Sequence, residues 1–245
     1  LLFMTAVSLA IAAVPEGLPA VVTICLALGM QRMVKRHALI RRLPAVETLG
    51  CTTVICSDKT GTLTQNEMTV VKTWTGDGWL QVAGEGYNPK GEFLSESSPQ
   101  DPHRHVASSF LLYGSLLCND AKLEEVESPD EKRTWRMVGD PTEGALVVAA
   151  AKSGLWRDEV EKILPRVAEI PFDSERKRMA TVHPDGREGD YIVYVKGAPD
   201  VLLSLSTRYF HDGQPVPLTD DVRRRFAEEN NAMARQALRV LAVAY

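Results

Sequence analysis

Charge is nearly missing from the start of this chain. Between residues 1 and 31 the only ionisable side chains are Glu16 and the thiol of Cys25. At about 1.5 Å per residue, a helix of that length exceeds the roughly 30 Å apolar core of a bilayer. The run is too long for the apolar core of a secretory signal, and no small-residue cleavage site follows it. Cysteine is scarce as well. Cys25, Cys51, Cys56 and Cys118 show no paired metal-ligand spacing, which excludes a zinc or disulfide framework and fits small apolar residues in a reducing compartment. Basic charge is in deficit over most of the chain. The net charge of the 245 residues is −4; residues 1–42 hold five basic side chains against Glu16, which leaves −8 on residues 43–245. An acidic body argues against nucleic acid as a partner, and any site for an anionic ligand must be locally basic. No long internal repeat is present. Gly84-Glu85-Gly86 lacks the third glycine and following helix of a dinucleotide fingerprint.

In the middle of the apolar segment stands Pro15-Glu16-Gly17-Leu18-Pro19. Two prolines and a glycine must interrupt helical hydrogen bonding there. Broken backbone at membrane depth is tolerated where it lines a cavity, and a carboxylate at such a break is a functional candidate. The carbonyls freed before Pro15, those of Ile11, Ala12 and Val14, face the same gap as Glu16. Carboxylate and carbonyl oxygens are the ligands a hard cation such as Ca2+ prefers. Arg32, Lys35, Arg36, Arg41 and Arg42 follow the apolar run and mark the cytoplasmic side.

A second apolar run, residues 53–57, reads as a buried strand that stops at a carboxylate: Asp58-Lys59-Thr60-Gly61-Thr62-Leu63-Thr64. An Asp at the carboxyl end of a strand sits where open α/β sheets bind ligands. Its carboxylate can attack the γ-phosphorus of ATP and hold the phosphoryl group as an acyl phosphate. Gly61 lets the backbone approach a phosphate closely. Asp58 is the nucleophile of this reading, with Lys59 and Thr60 beside it.

From residue 70 onward the pattern changes. Residues 70–74 and 78–82 read as strands about the Gly76-Asp77 turn. Residues 84–102, rich in Gly, Ser, Pro and acidic side chains, read as loop. Residues 108–120 read as a helix with Phe110, Leu111 and Leu117 on one side. Residues 142–153 read as a second helix with Thr142 as N-cap, and with Gly144, Ala145 and Ala149 to Ala151 allowing close packing. Residues 167–172, 178–183 and 191–196 read as strands, the last two joined at Asp185-Gly186. Residues 219–237 form a charged amphipathic helix, and 239–245 a final strand. Helices segregated from an antiparallel sheet make an α+β domain.

The Asp58 heptapeptide resembles the phosphorylation motif of the P-type ATPases, ATP-driven ion pumps. The apolar segment resembles their fourth transmembrane helix. Pro-Glu-Gly-Leu-Pro is the form of the calcium-pump branch, where sodium/potassium pumps usually carry Leu at the place of Pro19. The resemblance extends to their ATP-binding domain. Pro171-Phe172-Asp173-Ser174-Glu175-Arg176-Lys177-Arg178-Met179 resembles the segment whose Phe stacks on adenine. It implies that Phe172 stacks, Lys177 reaches the polar side of the nucleotide and Met179 packs on the ring. Lys196-Gly197-Ala198-Pro199 resembles the Lys-Gly-Ala motif, with Lys196 lining the adenine pocket and Gly197 permitting close approach. Glu143, in Gly139-Asp140-Pro141-Thr142-Glu143, takes the place of a Glu that contacts the adenine amino group. Arg239 matches an Arg that contacts the phosphates. Read singly, Phe172 is a core residue, Lys196 a solvated strand end and residues 176–178 a charged face. Ser174 departs from the Arg found there in animal calcium pumps, which leaves Arg176 to supply a phosphate-side contact.

The resemblance implies an α+β nucleotide-binding domain, an antiparallel sheet flanked by helices. It is inserted after the first strand of a haloacid-dehalogenase-like α/β phosphorylation domain and preceded by one broken transmembrane helix. The implied boundaries are 1–31 for the helix broken at Pro15 to Pro19, and 32–69 for the stalk and start of the phosphorylation domain. Residues 70–238 form the nucleotide-binding domain and 239–245 a return strand. ATP is the implied substrate and Mg2+ the cofactor, with Asp58 and Thr60 giving part of its shell. The transported cation, Ca2+ first, falls to Ile11, Ala12, Val14 and Glu16. Membrane lipid surrounds a multi-pass whole, and residues 32–245 are cytoplasmic. The Thr-Gly-Glu and Gly-Asp-Gly-Val-Asn-Asp segments of the family are missing, so the chain reads as part of a pump, inactive alone. Two alternatives remain. A haloacid-dehalogenase-type phosphatase would carry a second Asp where Thr60 stands. A non-catalytic ATP-binding fragment would not need Asp58 or Glu16.

Overall fold

A computed structural model describes residues 2–13, 15, 17–127, 133–186 and 189–245. The chain divides into two compact units, Leu1–Leu63 and Thr64–Tyr245.

The first unit is helical. Helix α1 spans Leu2–Ala12 and α2 spans Leu18–Val34. The interruption between them falls where Pro15 and Pro19 require it. Pro19 itself lies in the first turn of α2, where its missing N–H would have had no partner. The N–H of Leu18 donates to the carbonyl of Pro15 at 3.0 Å. Val14 and Glu16, two of the expected cation ligands, lie outside the described residues; Ile11 and Ala12 close α1. Among the described residues no helix is long and apolar enough to cross a membrane. The break is the reason, since pieces of 11 and 17 residues fall short of a span. Helix α2 stops at His37, which takes the left-handed conformation (φ 62°). Ala38 N–H then reaches Met33 O and His37 N–H reaches Val34 O, the two bonds of a Schellman stop. Helix α3, Pro44–Gly50, follows.

The expected strand at 53–57 does not form here. The segment is exposed throughout and joins none of the described sheets. Its β-branched, apolar composition suits a strand, but a strand exists only as one side of a ladder. No described strand of this unit supplies the other side.

The second unit is α+β, and every pairing in it is antiparallel. In chain order its elements are β1 (Lys72–Thr75), β2 (Gly78–Val82), β3 (Phe93–Ser95), β4 (Ser98–Pro99), α4 (Val106–Leu117), β5 (Lys122–Glu127), β6 (Arg133–Val138), α5 (Pro141–Lys152), α6 (Arg157–Ile163), β7 (Ala168–Asp173), β8 (Arg178–Pro184), β9 (Tyr191–Gly197), α7 (Pro199–Leu205), β10 (Arg208–His211), β11 (Gln214–Pro217), α8 (Asp220–Arg235) and β12 (Ala242–Ala244). One four-stranded sheet runs β1-β2-β3-β4 and another β12-β9-β8-β7; β5-β6 and β10-β11 are separate hairpins.

Three expectations change. The loop 84–102 contains β3 and β4. The final strand is Ala242–Ala244 alone, and it pairs with β9. The N-cap of α5 is Asp140, not Thr142. Asp140 Oδ1 accepts the N–H of Thr142 at 2.8 Å, which puts Pro141 at the first helical position.

The main core gathers Leu116, Leu117 and Cys118 at the end of α4, Val147 and Ala150 of α5, Val160 of α6, and Met179 and Tyr194 of the sheet. Helix α4 buries Leu112 and Leu116 with Leu117, while Phe110 and Leu111 are half-buried. Under this core His183 is fully buried. Its Nδ1 faces the carbonyl of Leu164 at 2.9 Å, so Nδ1 carries the proton, and Nε2 accepts from the hydroxyl of Thr181 at 3.0 Å. Burial lowers its pKa from the ordinary 6.5, against the opposing pull of the Leu164 carbonyl.

A histidine held neutral in the fold takes up a proton more readily once unfolded, so it costs stability as pH falls below 6.5 towards its lowered folded value. The urea midpoint of the wild-type chain should therefore drop between pH 7.5 and 5.5, and His183→Gln should flatten that drop. Parallel pH profiles for the two proteins would show that His183 is protonated equally in both states.

Candidate functional site

The end of α4 and the start of α5 meet over strand β9, and the site is built at that junction. Helix α4 stops at Leu117, leaving carbonyls without intrahelical donors. Two arginines supply them. Arg157 donates to Leu116 O at 2.8 Å and to Asn119 O at 2.9 Å. Arg166 donates to Leu117 O at 3.1 Å and pairs with Asp120 and Glu169, each at 2.7 Å. Cations are favoured at a helix C-terminus. The turn they hold, residues 118–121, is tied further by Asn119, whose Nδ2 donates to Ser115 O and Glu143 O while its Oδ1 accepts from Ala121 N–H.

Helix α5 starts at this turn. Asp140 caps it, and Glu143 stands at the third helical position. Burial would raise the Asp140 carboxyl, but hydrogen bonds from Thr142 and Glu143 and the nearby charge of Arg239 hold it below the usual carboxylate range. In a capping box the third-position Glu would fold back to the N-cap N–H. Here Glu143 turns away: Oε2 accepts from Asp120 N–H at 3.0 Å, and Oε1 accepts from Lys196 Nζ at 2.8 Å. The two side chains are 19% and 6% exposed, so this is a nearly dry ion pair.

Strand register brings the other residues alongside. Lys196 of β9 pairs directly with Met179 of β8, so both face α4 and α5. Met179 is buried, and its carbonyl receives the thiol of Cys118 at 3.6 Å. Burial raises the Cys118 pKa, against the charge of Lys196, and keeps it a thiol. On β7 the pairing slips between Ile170 and Asp173. Pro171 lies in the slip and has no N–H to give the ladder. Phe172 beside it is 63% exposed. The turn after β7 is wound on Asp173, whose Oδ1 accepts from Arg176 N–H at 2.8 Å and Glu175 N–H at 2.9 Å. Lys177 sits in that turn in the left-handed conformation (φ 52°), exposed. Its carbonyl accepts from Ala198 N–H at 3.0 Å, directly against Gly197. A Cβ on Gly197 would stand 2.4 Å from that carbonyl oxygen, so no side chain fits there. Arg176, the expected stand-in at the phosphate side, is turned to Pro171 O at 3.1 Å.

A model of the P-type ATPase cytoplasmic domain N matches residues 109–245. The chain is 44% identical over 244 residues to a calcium-transporting ATPase of Bacillus subtilis, covering 100% of this chain and 27% of that protein. It is 46% identical over 251 residues to the cation-transporting ATPase pma1 of Synechocystis, covering 99% and 26%. Against the human calcium-transporting ATPase type 2C member 1 it is 44% identical over 246 residues, covering 99% and 26%.

The chain belongs to the P-type ATPases.

It spans about a quarter of the length of these relatives. Within the domain N match the structure joins Glu143 to Lys196, sets Met179 opposite Lys196 in the ladder, and sets Gly197 against Lys177. Arg239 is near enough to Asp140 to act on its carboxyl. Asp58, Lys59 and Thr60 belong to the first unit, exposed, and the backbone turns through Gly61 at φ 76°. A cavity of about 610 Å³ lies elsewhere, lined by aromatic residues including Trp74, Phe110, Phe210 and Tyr245; none of the residues expected to bind nucleotide lines it. Sequence reasoning missed Asn119, Asp120, Arg157 and Arg166. An Asn-Asp pair closing an apolar helix was the available signal for the first two; two arginines far along the chain gave none.

Lys196→Met should leave Glu143 charged and half-partnered in a dry place, and should cost about 3–5 kcal/mol of stability, the scale for breaking a buried pair. Adding Glu143→Leu should recover much of it. A loss under about 1 kcal/mol in urea unfolding would place the pair with screened surface bridges.

Proposed function

We propose that the second unit binds ATP as domain N of a cation pump, and that Asp58 accepts the γ-phosphoryl group. The observation that carries this reading is the Lys196–Glu143 pair at the first turn of α5, in a domain N whose Phe172 stands exposed on the same sheet. Each carboxylate oxygen has two acceptor directions, so Glu143 keeps room for an exocyclic amino group such as that of adenine. Phe172 offers a face for the base, Met179 packs on the ring, Gly197 permits close approach, Lys177 reaches the polar side of the nucleotide and Arg239 meets the phosphates. Arg176, bonded to Pro171 O through one of its five N–H donors, keeps others for the phosphate-side contact that Ser174 does not make.

At Asp58 a bond forms from carboxylate oxygen to the γ-phosphorus as the bond to the bridging oxygen of ADP breaks. The Asp58 carboxylate and Thr60 carbonyl are hard oxygen donors that suit Mg2+, whose charge offsets that of the phosphates. Residues 1–31 are the broken membrane helix, 32–69 the stalk and start of the phosphorylation domain, 70–238 the nucleotide-binding domain, and 239–245 the start of the return. The phosphorylation domain is haloacid-dehalogenase-like, with domain N inserted after its first strand. The whole protein is multi-pass, lipid-embedded, with residues 32–245 cytoplasmic. Ca2+ is the leading cargo, held by Glu16 and the carbonyls of Ile11, Ala12 and Val14; the relatives in Bacillus subtilis and human are named calcium-transporting.

Base stacking on an aromatic ring is worth roughly 1–3 kcal/mol. Phe172→Ala should weaken ATP binding to the 245-residue chain by about one to two orders of magnitude in calorimetry. Unchanged affinity would make Phe172 a fold residue.

The full-length protein should form an acid-stable, hydroxylamine-sensitive phosphoenzyme from ATP, and Asp58→Asn should abolish it. In the same assay Glu16→Gln should raise the Ca2+ needed for labelling by ATP while labelling by inorganic phosphate survives. Equal labelling of Asp58→Asn would remove the nucleophile assignment; normal Ca2+ dependence in Glu16→Gln would remove the cargo site.

A further inference from the structure

Two tight turns from distant parts of the second unit meet at a cluster that the nucleotide reading does not use. One is Gly76-Asp77, between β1 and β2; the other is Asp212-Gly213, between β10 and β11. Gly76 is what lets them meet. A Cβ there would stand 2.3 Å from Phe210 O and 2.9 Å from the Tyr209 ring. The second turn has both central residues at positive φ, 47° for Asp212 and 73° for Gly213, the type I′ form that Asp-Gly favours.

The contact carries Asp77 beneath that second turn. Its Oδ1 accepts from Asp212 N–H at 2.9 Å and lies 3.8 Å from His211 Nδ1. His211 Nε2 is 3.7 Å from Asp212 Oδ2. One ligand atom from each of Asp77, His211 and Asp212 falls within 4.8 Å of the others. The Asp77 side chain is only 7% exposed, and its second oxygen, Oδ2, is shut from solvent with no hydrogen-bond partner among the described residues. A buried carboxylate oxygen without a partner calls for a positive charge beside it.

We propose that Asp77, His211 and Asp212 bind a divalent transition-metal ion of the zinc type, which clasps the two hairpins together. The donor set decides the class. An imidazole nitrogen with two carboxylates suits borderline ions, whereas Ca2+ and Mg2+ favour oxygen alone. Zinc bonds of about 2.0–2.2 Å set neighbouring ligand atoms roughly 3–3.5 Å apart. The two carboxylates approach opposite nitrogens of the His211 ring, so a shared ion takes one of them and requires the half-exposed His211 and the exposed Asp212 to turn towards it while Asp77 is already fixed. Three protein ligands leave a fourth position for water.

The test uses the 245-residue chain in detergent, without nucleotide, stripped by chelator and carrying Cys25→Ser, Cys51→Ser and Cys56→Ser. Those three thiols are exposed and would take zinc themselves. Calorimetric titration with Zn2+ should give one ion per chain, and Co2+ should give a visible spectrum without thiolate charge-transfer bands. Asp77→Asn and His211→Gln should each weaken Zn2+ binding at least tenfold. His211→Gln changes a half-exposed side chain, so it keeps the test alive if Asp77→Asn folds poorly. Zn2+ should raise the thermal midpoint of the parent and not of His211→Gln. No saturable binding, or binding that His211→Gln leaves unchanged, would overturn the site.

Discussion

A lysine ammonium and a glutamate carboxylate held 2.8 Å apart, almost out of water, set the terms for the rest of the second unit. Bringing such a pair inside costs several kcal/mol per ion, and the attraction repays it only when the remaining lone pairs are also met. The chain meets them with backbone. Asp120 N–H takes the free oxygen of Glu143, which requires the 118–121 turn to hold one conformation. That turn is held because Asn119 closes on itself and on α5, and because Arg157 and Arg166 saturate the carbonyls around it. The end of α4, the start of α5 and the end of β9 are thus fixed to one another by a single polar chain laid over an apolar core. The same chain explains why Glu143 abandons the usual capping geometry: Asp140 alone caps α5, so the third position is released for other work.

A second constraint is backbone geometry at the sheet edge. Pro171 cannot donate to a ladder, so β7 loses its register between Ile170 and Asp173. Phe172 stands exposed on this edge strand, as do the residues from Ala168 to Pro171. Asp173 then gathers the next turn with two N–H bonds, and the left-handed Lys177 presents its carbonyl to Ala198. Gly197 is required by that approach. The exposed ring, the turn and the buried pair lie on one sheet because each local choice leaves no alternative for the next.

How much of this was legible depends on what each segment announces by itself. Helices α4, α5 and α8 and strands β7, β8 and β9 follow from apolar period and turn residues, and they appear within one to three residues of expectation, α4 ending three residues early. Hairpin β3–β4 was not legible. Its turn is Glu96-Ser97 at φ 47° and 68°, a left-handed pair with neither Gly nor Asn to mark it. Hairpin β10–β11 was legible and overlooked, since Asp212-Gly213 is the usual signal for its turn. Strand β5, Lys-Leu-Glu-Glu-Val-Glu, alternates too little to declare a face. At the site the residue types were legible and their partners were not. Glu143 and Lys196 lie 53 positions apart, and nothing local in either segment points to the other. The N-cap was misread because Thr142 and Asp140 are both good caps, and only Pro141 between them settles which comes first.

The strand before Asp58 failed for a deeper reason. A helix can satisfy its own backbone, so α1 and α2 form from their sequence, with Pro15 and Pro19 at the break between them. A strand cannot, and residues 53–57 illustrate it: Val54 and Ile55 are exposed, and no described strand lies beside them. Burying each would contribute about 1.5–3 kcal/mol. A short, continuous apolar run suits a parallel sheet covered on both faces. The position of Asp58 is therefore a property of a sheet and not of the heptapeptide that carries it. In the proposed reaction the motif names the attacking atom, while a surrounding sheet would fix where that atom stands. This chain, about a quarter the length of its relatives, carries the heptapeptide whole, and the apolar residues Val54 and Ile55 before it stand exposed.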